Sequence, residues 1–520
     1  MITLTADNRA EAGDIDTRLS KAFNLGAGML VRATEELKLK KIVVVGLGVS
    51  GAASARFAIK CGATVVVTDS RPASEVPVSE ELIGLGAEFV PDTVAESMLV
   101  GADMVVASPG VPRSAPILKA AKERGTEIVS DIELASRYID VPIIAVAGTN
   151  GKSTVVTLLG AILMAAGKSL FIGGNIGTPV TEYFNLDTRP DLCLLEVSSF
   201  QLEHIDTFAP AVAVMLNITE DHLERYADFD DYAATKLGIF DKQGADCLAV
   251  VNAGDLKIAS ILTVRGTGFV GHPPDAPRVV PYTTTGTIGD GLYIRESGIV
   301  YAGAEAGEGE VYSTEKCSLK GLHNIENMMA AIAVARLLHI DKEIIDEVLY
   351  RFKGLSHRME TVRTLGGVTY IDDSKGTNVG ALKMALKGID SPVILIAGGV
   401  DKGGDYSVLL PLVKEKVERM ILIGESKHKM ERALGNVTDV IEAETMEEAV
   451  KVAYESAEDG MVVLLCPAGA SFDMFKSYAE RGERFSSSVM ALEVDQESAD
   501  EEEPSASGEG WDLGTKDKEK

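Results

Sequence analysis

Two glycine turns in this chain have the residue types and spacing to hold phosphate. The first lies in KIVVVGLGVSG at 41–51, where Gly46, Gly48 and Gly51 follow an apolar run and Asp69 stands about twenty residues on. Such a turn brings main-chain N–H groups close to a diphosphate, and an acid at that distance can read a ribose. The second is IIAVAGTNGKSTVV at 143–156. Val146 stands where the strict phosphate-loop pattern has its first glycine, yet the chemistry is retained. Gly148, Thr149, Asn150 and Gly151 can turn their amides inward, Lys152 can reach the β- and γ-phosphates, and Ser153 or Thr154 can meet Mg²⁺. By itself the first turn fits either a nicotinamide dinucleotide or another diphosphate ligand.

Acidic and basic side chains recur at the ends of neighbouring apolar runs. Glu196 ends LCLLE, and Asp221 and His222 follow AVAVMLNIT. A hard divalent cation takes carboxylate oxygen, so Glu196 is a Mg²⁺ ligand candidate. In DDYAATKLGIF at 230–240, Tyr232, Lys236, Ile239 and Phe240 share one helical stripe. Lys236 thus lies on an apolar face, where an amine is easily deprotonated.

Parallel α/β sheets would position these groups. KIVVV, TVVVT and MVVA alternate with helical segments, and the pattern restarts at PIIAVAG and again near KGLSHRME. Ligands collect at the C-terminal ends of such strands. The expected fold is α/β in three domains. A Rossmann-like unit covers 39–130. A central mononucleotide-binding unit covers 131–354, with a small antiparallel excursion near GLYIRESGIVYAG. A second Rossmann-like unit covers 355–494, with the boundary at Gly354. Residues 1–38 read as a loosely ordered extension, and 495–520 as a disordered acidic tail. A net charge of −28 argues against nucleic acid and against membrane surfaces as partners. Five widely spaced cysteines without a CxxC pair suit reduced thiols in a cytoplasm, and no apolar run is long enough to span a bilayer.

Taken together and in order, GTNGKST, Glu196, NITEDHLERY, Lys236, GLHNIENMMAAIAVA and HRME resemble the Mur ligases, which form amide bonds at the expense of ATP. EVSSFQLE, IDDSKGTNVGA, GGVDKGGDY and PAGASFDMFKSYAERGERF are similar to the D-glutamate-adding branch of that family. The resemblance spans about 40–490 and turns the first glycine loop from a nicotinamide site into a UDP-sugar site. It implies three small-molecule partners: UDP-N-acetylmuramoyl-L-alanine, D-glutamate and ATP. It also implies two Mg²⁺ sites, a carbamylated lysine and a monomeric enzyme. Val49, Ser50, Asp69, Arg71, Gly110, Asn175, Ser198 and His222 would hold the UDP substrate. The phosphate loop 148–154 with Asn324, Asn327, Arg358 and Asp373 would hold ATP. Lys375, Thr377, Lys402, Ser471, Phe472 and Tyr478 would hold D-glutamate, Tyr478 standing where the family often has Phe. Lys152, Glu196, His222 and Lys236 would be catalytic, and Ser153, Glu196, His222 and carbamylated Lys236 would bind metal. Three other readings compete: a nicotinamide-dependent oxidoreductase, an amide ligase of another branch such as a folylpolyglutamate synthase, and a nucleotide-binding protein without catalysis. The last is disfavoured because Lys152, Glu196, His222 and Lys236 are all present.

Overall fold

A computed structural model describes residues 29–92, 95–264, 276–296, 298–303 and 309–493. The expectations for 1–28 and for the acidic tail lie outside these residues. Residues Met29–Leu37, read from sequence as part of a loose extension, instead form a helix. Ala33 and Leu37, one helical turn apart, are both fully buried in the first domain's core, and that burial orders the segment.

The first sheet contains β1 (Lys41–Val45), β2 (Thr64–Thr68), β3 (Glu88–Phe89), β4 (Met104–Ala107) and β5 (Glu127–Ser130), all parallel, in the order β3-β2-β1-β4-β5. The order reverses beside β1, and the first glycine turn leaves from that point. A Cβ at Gly51 would lie 1.9 Å from the Gly46 carbonyl oxygen, so only glycine lets the helix Val49–Lys60 start so close to the strand.

The second sheet has nine strands. They are β6 (Ile143–Ala147), β7 (Leu170–Gly174), β8 (Leu192–Glu196), β9 (Val212–Met215), β10 (Leu248–Asn252), β11 (Arg278–Thr283), β12 (Gly291–Arg295), β13 (Gly298–Ala302) and β14 (Glu310–Ser313). Their order is β14-β13-β12-β11-β10-β9-β6-β8-β7. The central strand β6 has β8 on one side and β9 on the other, so the residues ending these three strands share one rim. The expected excursion is present as the antiparallel run β12-β13-β14. β6 and β8 are buried along their whole lengths, as near-continuous apolar runs in parallel sheets require.

The third sheet, β15 (Glu360–Leu365), β16 (Val368–Asp372), β17 (Val393–Gly398), β18 (Val417–Ile423), β19 (Asp439–Glu442) and β20 (Val462–Ala468), runs β15-β16-β20-β17-β18-β19. It is parallel except for the β15-β16 hairpin. Gly354, at φ +94°, lies between the last central helix, Lys342–Arg351, and this sheet.

One continuous core joins the first sheet to a face of the second. Phe57 stacks on Phe184 at 4.3 Å, and Lys60 Nζ donates to the Phe184 carbonyl at 2.9 Å. The other face of the second sheet packs against the helices Lys152–Ala165 and Leu322–Leu337. The third sheet has cores of its own on its two faces.

Candidate active site

The apolar run of β6 drives the strand through the core and delivers its glycine turn to the rim. Gly148 and Gly151 take φ +151° and +89°. A Cβ on Gly151 would lie 2.2 Å from Asn327 Oδ1, so the loop and the helix Leu322–Leu337 touch through a position only glycine can fill. The loop is braced from β9. Asn150 N–H donates to Asn217 Oδ1 at 2.8 Å, Thr149 N–H donates to the Asn217 carbonyl at 2.8 Å, and the Thr149 hydroxyl meets Tyr232 Oη at 3.0 Å. Gly151 starts the helix Lys152–Ala165, whose free N–H groups and positive end face the loop.

Four cations converge on this turn. Lys152 Nζ folds back on the carbonyls of Gly148 and Thr149, at 2.9 and 2.7 Å. Lys236 Nζ, 2% exposed, donates to the same Gly148 carbonyl at 2.8 Å and lies 5.0 Å from the Tyr232 ring centre. Lys375 and Arg358 arrive from the third domain. Lys375 Nζ donates to Ser153 Oγ at 2.8 Å, and Arg358 Nη1 to Thr154 Oγ1 at 2.8 Å. Burial lowers the pKa of Lys152 and Arg358, lowers Lys375 to about 8 with help from the Arg358 charge, and pushes Lys236 well below the ordinary lysine range with help from Lys152.

Glu196 ends β8 beside the loop. Its Oε1 accepts from Asn175 Nδ2 at 2.8 Å, while its buried Oε2 has no partner. Its negative charge acts on all four of those cations. A buried carboxylate oxygen left free among donors held elsewhere is suited to a cation ligand. His222 adopts φ +54°, a backbone state that costs a non-glycine residue about 1–2 kcal/mol. Its ring lies 4.8 Å from Phe200 and within 3.7 Å of Asp221, and burial keeps its pKa low.

Two clefts open on either side. The cleft at the first sheet's switch point, about 910 Å³, is lined by Val49, Ser50, Asp69, Arg71, Gly110 and Asn175 among others. Asp69 accepts from Leu47 N–H at 2.8 Å and from Arg71 Nε at 2.8 Å; the Arg71 bond, with lesser help from the main chain, holds its pKa at about 2. Ser198 caps the helix Ser199–Leu202, its Oγ accepting from Gln201 N–H. The second cleft, about 430 Å³, lies between the central and third domains and is lined by Asn150, Gly151, Asn327, Arg358, Asp373 and Lys375. Asn324 stands behind Asn327, accepting from its Nδ2 at 3.4 Å. Burial raises Asp373 to about 6, although Cys466 Sγ donates to it at 3.1 Å.

In the third group, Lys402 Nζ donates to Thr377 Oγ1 at 3.4 Å and lies 3.8 Å from Asp221 Oδ1. Lys375 lies over the Tyr478 ring at 5.2 Å. Ser471 is buried, whereas its neighbour Phe472 is 76% exposed.

Some residues at this site escape sequence reasoning. Asn217 braces the loop, and Asn378 Nδ2 reaches Asn150 Oδ1 at 3.3 Å and Asp221 Oδ2 at 3.2 Å. His323 and Glu326 line the second cleft; burial takes His323 down to about 4 and Glu326 up. A polar residue ending an apolar strand is the available signal for Asn217. Asn378 precedes a helix, and its role as a cap accounts for it locally.

Three family models match the chain in order: the MurD-like N-terminal domain of Mur ligases over 40–130, the Mur ligase middle domain over 146–335, and the Mur ligase glutamate ligase domain over 357–469. The first match sets aside the nicotinamide reading of the 46–51 turn. The UDP-N-acetylmuramoylalanine–D-glutamate ligase of Geobacter metallireducens is 45% identical over 459 residues, covering 88% of this chain and 98% of that one. That of Geotalea daltonii is 44% identical over 463 residues, with the same coverage. Among solved structures, MurF of Acinetobacter baumannii matches with a TM-score of 0.54 at 16% identity, over 88% of this chain and 98% of that one. MurF of Thermotoga maritima in complex with ADP matches at 0.53 and 17%, over 88% and 96%. Those two likenesses concern the fold. On the three domain matches and the full-length identity, the chain belongs to the Mur ligase family.

Proposed function

We propose that this chain is the ATP-dependent ligase that joins D-glutamate to UDP-N-acetylmuramoyl-L-alanine in peptidoglycan precursor synthesis, acting as a cytoplasmic monomer. One observation carries the mechanism. Lys152, Lys236, Arg358 and Lys375 surround the glycine turn that opens the helix Lys152–Ala165, next to a buried and unpartnered Glu196 oxygen. Such a site is built for several negative groups at once. The choice of D-glutamate rests on the relatives that carry that name, 42–45% identical over nearly their whole length.

A carboxylate is a poor electrophile. Its oxygen attacks the γ-phosphorus, the bond to ADP breaks, and an acyl phosphate forms. The D-glutamate nitrogen then attacks the acyl carbon. The tetrahedral adduct collapses with loss of phosphate, and the nitrogen gives up a proton. Lys152 and the loop amides hold the phosphates, and Lys375 and Arg358 bring further positive charge to the loop from the third domain. Asn327, Arg358 and Asp373 hold the nucleoside end, with Asn324 steadying Asn327. Lys375, Thr377, Lys402, Ser471, Phe472 and Tyr478 receive D-glutamate, two lysines for two carboxylates. Val49, Ser50, Asp69, Arg71, Gly110, Asn175, Ser198 and His222 receive the UDP substrate. The donor set also suits Mg²⁺ at two positions: Ser153 and Glu196 would hold one, His222 and Lys236 as its carbamate the other. Magnesium there supplies charge neutralisation and template geometry. Burial pushes the Lys236 pKa well below the ordinary lysine range, which favours the neutral amine that carbamylation requires.

The test is ATP-dependent phosphate release with UDP-N-acetylmuramoyl-L-alanine and a panel of amino acids. Release with D-glutamate is expected. Release with L-glutamate or diaminopimelate and none with D-glutamate overturns the assignment.

A further inference from the structure

Glu203 holds a fully buried carboxylate between two arginines from distant parts of the chain. Arg225 grips it with both ends of its guanidinium, Nε to Oε1 at 2.7 Å and Nη2 to Oε2 at 2.7 Å. Arg113 Nε lies 3.6 Å from the same Oε2. Arg113 belongs to the loop after β4, which lines the first-sheet cleft through Gly110, Val111 and Pro112. Arg225 Nη2 also donates to the Val111 carbonyl at 2.7 Å, so the loop is tied to the central domain by both arginines.

The other contacts of these arginines lead to the reaction centre. Arg113 Nη1 pairs with Asp231 at 3.2 Å, and Nη2 donates to Thr235 Oγ1 at 2.7 Å. Both partners are on the helix Phe229–Leu237, which carries Lys236. The Arg225 guanidinium lies 4.1 Å over the Phe200 ring, and that ring lies 4.8 Å from His222. A fully desolvated carboxylate adds little net stability even when paired, so a hydrophobic contact would serve better if adhesion were the only requirement. Two directional ion pairs, however, fix distance and angle in a way that apolar packing does not.

We propose that Glu203, Arg113 and Arg225 are positioning residues that set the register between the UDP-binding loop and the helix bearing Lys236. This rests on the function proposed above. UDP occupies only the first-sheet cleft. The complete substrate must span from that cleft to the phosphate loop, and only its far end carries the carboxyl to be activated. A loop out of register leaves UDP bound and misplaces the carboxyl.

The full-length chain is compared with Arg225→Met, Arg225→Lys and Arg113→Met. Calorimetry measures the affinity for UDP and, separately, for UDP-N-acetylmuramoyl-L-alanine, and steady-state kinetics give KM for ATP. In Arg225→Met, UDP affinity and the KM for ATP stay within about twofold, while affinity and kcat/KM for the complete substrate fall by about ten- to a hundredfold. Arg225→Lys, which keeps the charge and loses the fork, recovers part of that loss. Equal losses for UDP and for the complete substrate, or no loss for the complete substrate, overturn the proposal. If Arg225→Met does not fold, Arg113→Met gives the same reading, because that side chain is one-third exposed. The binding comparison needs no turnover: an inactive wild type defeats the reaction assignment alone and leaves the comparison to be read.

Discussion

Lys375, on the turn after β16, donates a hydrogen bond to Ser153 of the phosphate loop across 2.8 Å, joining residues 222 positions apart. With Arg358 on Thr154 and Asn378 on Asn150, it is one of three contacts from the third domain that land within five residues of the second. The third domain therefore adds side chains to the proposed phosphate site as well as a neighbouring pocket.

Replacing Lys375 by Met should lower kcat by about 10²–10³-fold, the scale for losing one donor to developing charge. UDP affinity should not change, because the cleft proposed for UDP is lined by residues of the first two domains. Phosphate release and UDP calorimetry on the same preparation check both. A parallel fall in UDP affinity would mean that Lys375 holds the overall structure together.

Asp373 gives a pH dependence with a definite sign. Burial raises its folded pKa from the ordinary 3.8 to about 6. Between those values the folded chain keeps a proton that the unfolded chain has lost. The contribution of this group is thus present below about pH 4 and is lost as pH rises through about 6. Wild type should lose up to about 3 kcal/mol relative to Asp373→Asn between pH 4 and pH 7. Urea unfolding of the ligand-free proteins across that range measures it, and parallel curves would refute it.

The strand ends are legible in sequence because a buried apolar run must surface somewhere, and a glycine or a carboxylate at its end marks the place. Glu196 and the 148–154 turn follow from that alone, and Lys236 from its place on a stripe with Tyr232, Ile239 and Phe240, all of them buried. Residues whose local role is already sufficient are not legible. Asn378 caps a helix, so it needs no distant partner. Arg113 and Glu203 are 90 positions apart in sequence, and each reads as an ordinary surface charge until the two sheets are packed. The helix Met29–Leu37, by contrast, is legible on closer reading: Leu30, Ala33 and Leu37 stand at i, i+3 and i+7, one helical stripe with Arg32, Glu35 and Glu36 off it.

Lys236 offers a direct spectroscopic check. Its amine is buried, its pKa is held well below the ordinary range, and its contacts are the Gly148 carbonyl and the Tyr232 ring. Carbon-13 NMR of protein equilibrated with labelled bicarbonate should show one carbamate resonance that is absent in Lys236→Arg. The same substitution should reduce turnover by about 10²–10³-fold, since it leaves a fixed cation where the proposed carbamate would carry negative charge. A resonance that persists in the variant would move the modification elsewhere.

Asn378 combines two functions that can be separated. Its Oδ1 accepts from Ala381 N–H at 2.8 Å and caps the helix Val379–Lys387, while its Nδ2 bridges Asn150 and Asp221. Serine and aspartate can keep the cap but cannot donate as the amide does, and aspartate adds a like charge beside Asp221. Alanine loses both functions. Stability should therefore place wild type, Asn378→Asp and Asn378→Ser together, with Asn378→Ala lower by about 1 kcal/mol. Turnover should rank differently. Asn378→Ser and Asn378→Ala should fall together by about fivefold, the worth of one net hydrogen bond, and Asn378→Asp should fall furthest through repulsion. Thermal melts and kcat on the same three variants decide the matter. Turnover that tracks melting temperature across the set would make Asn378 a helix cap and nothing more, and the domain contact would then depend on Lys375 and Arg358 alone.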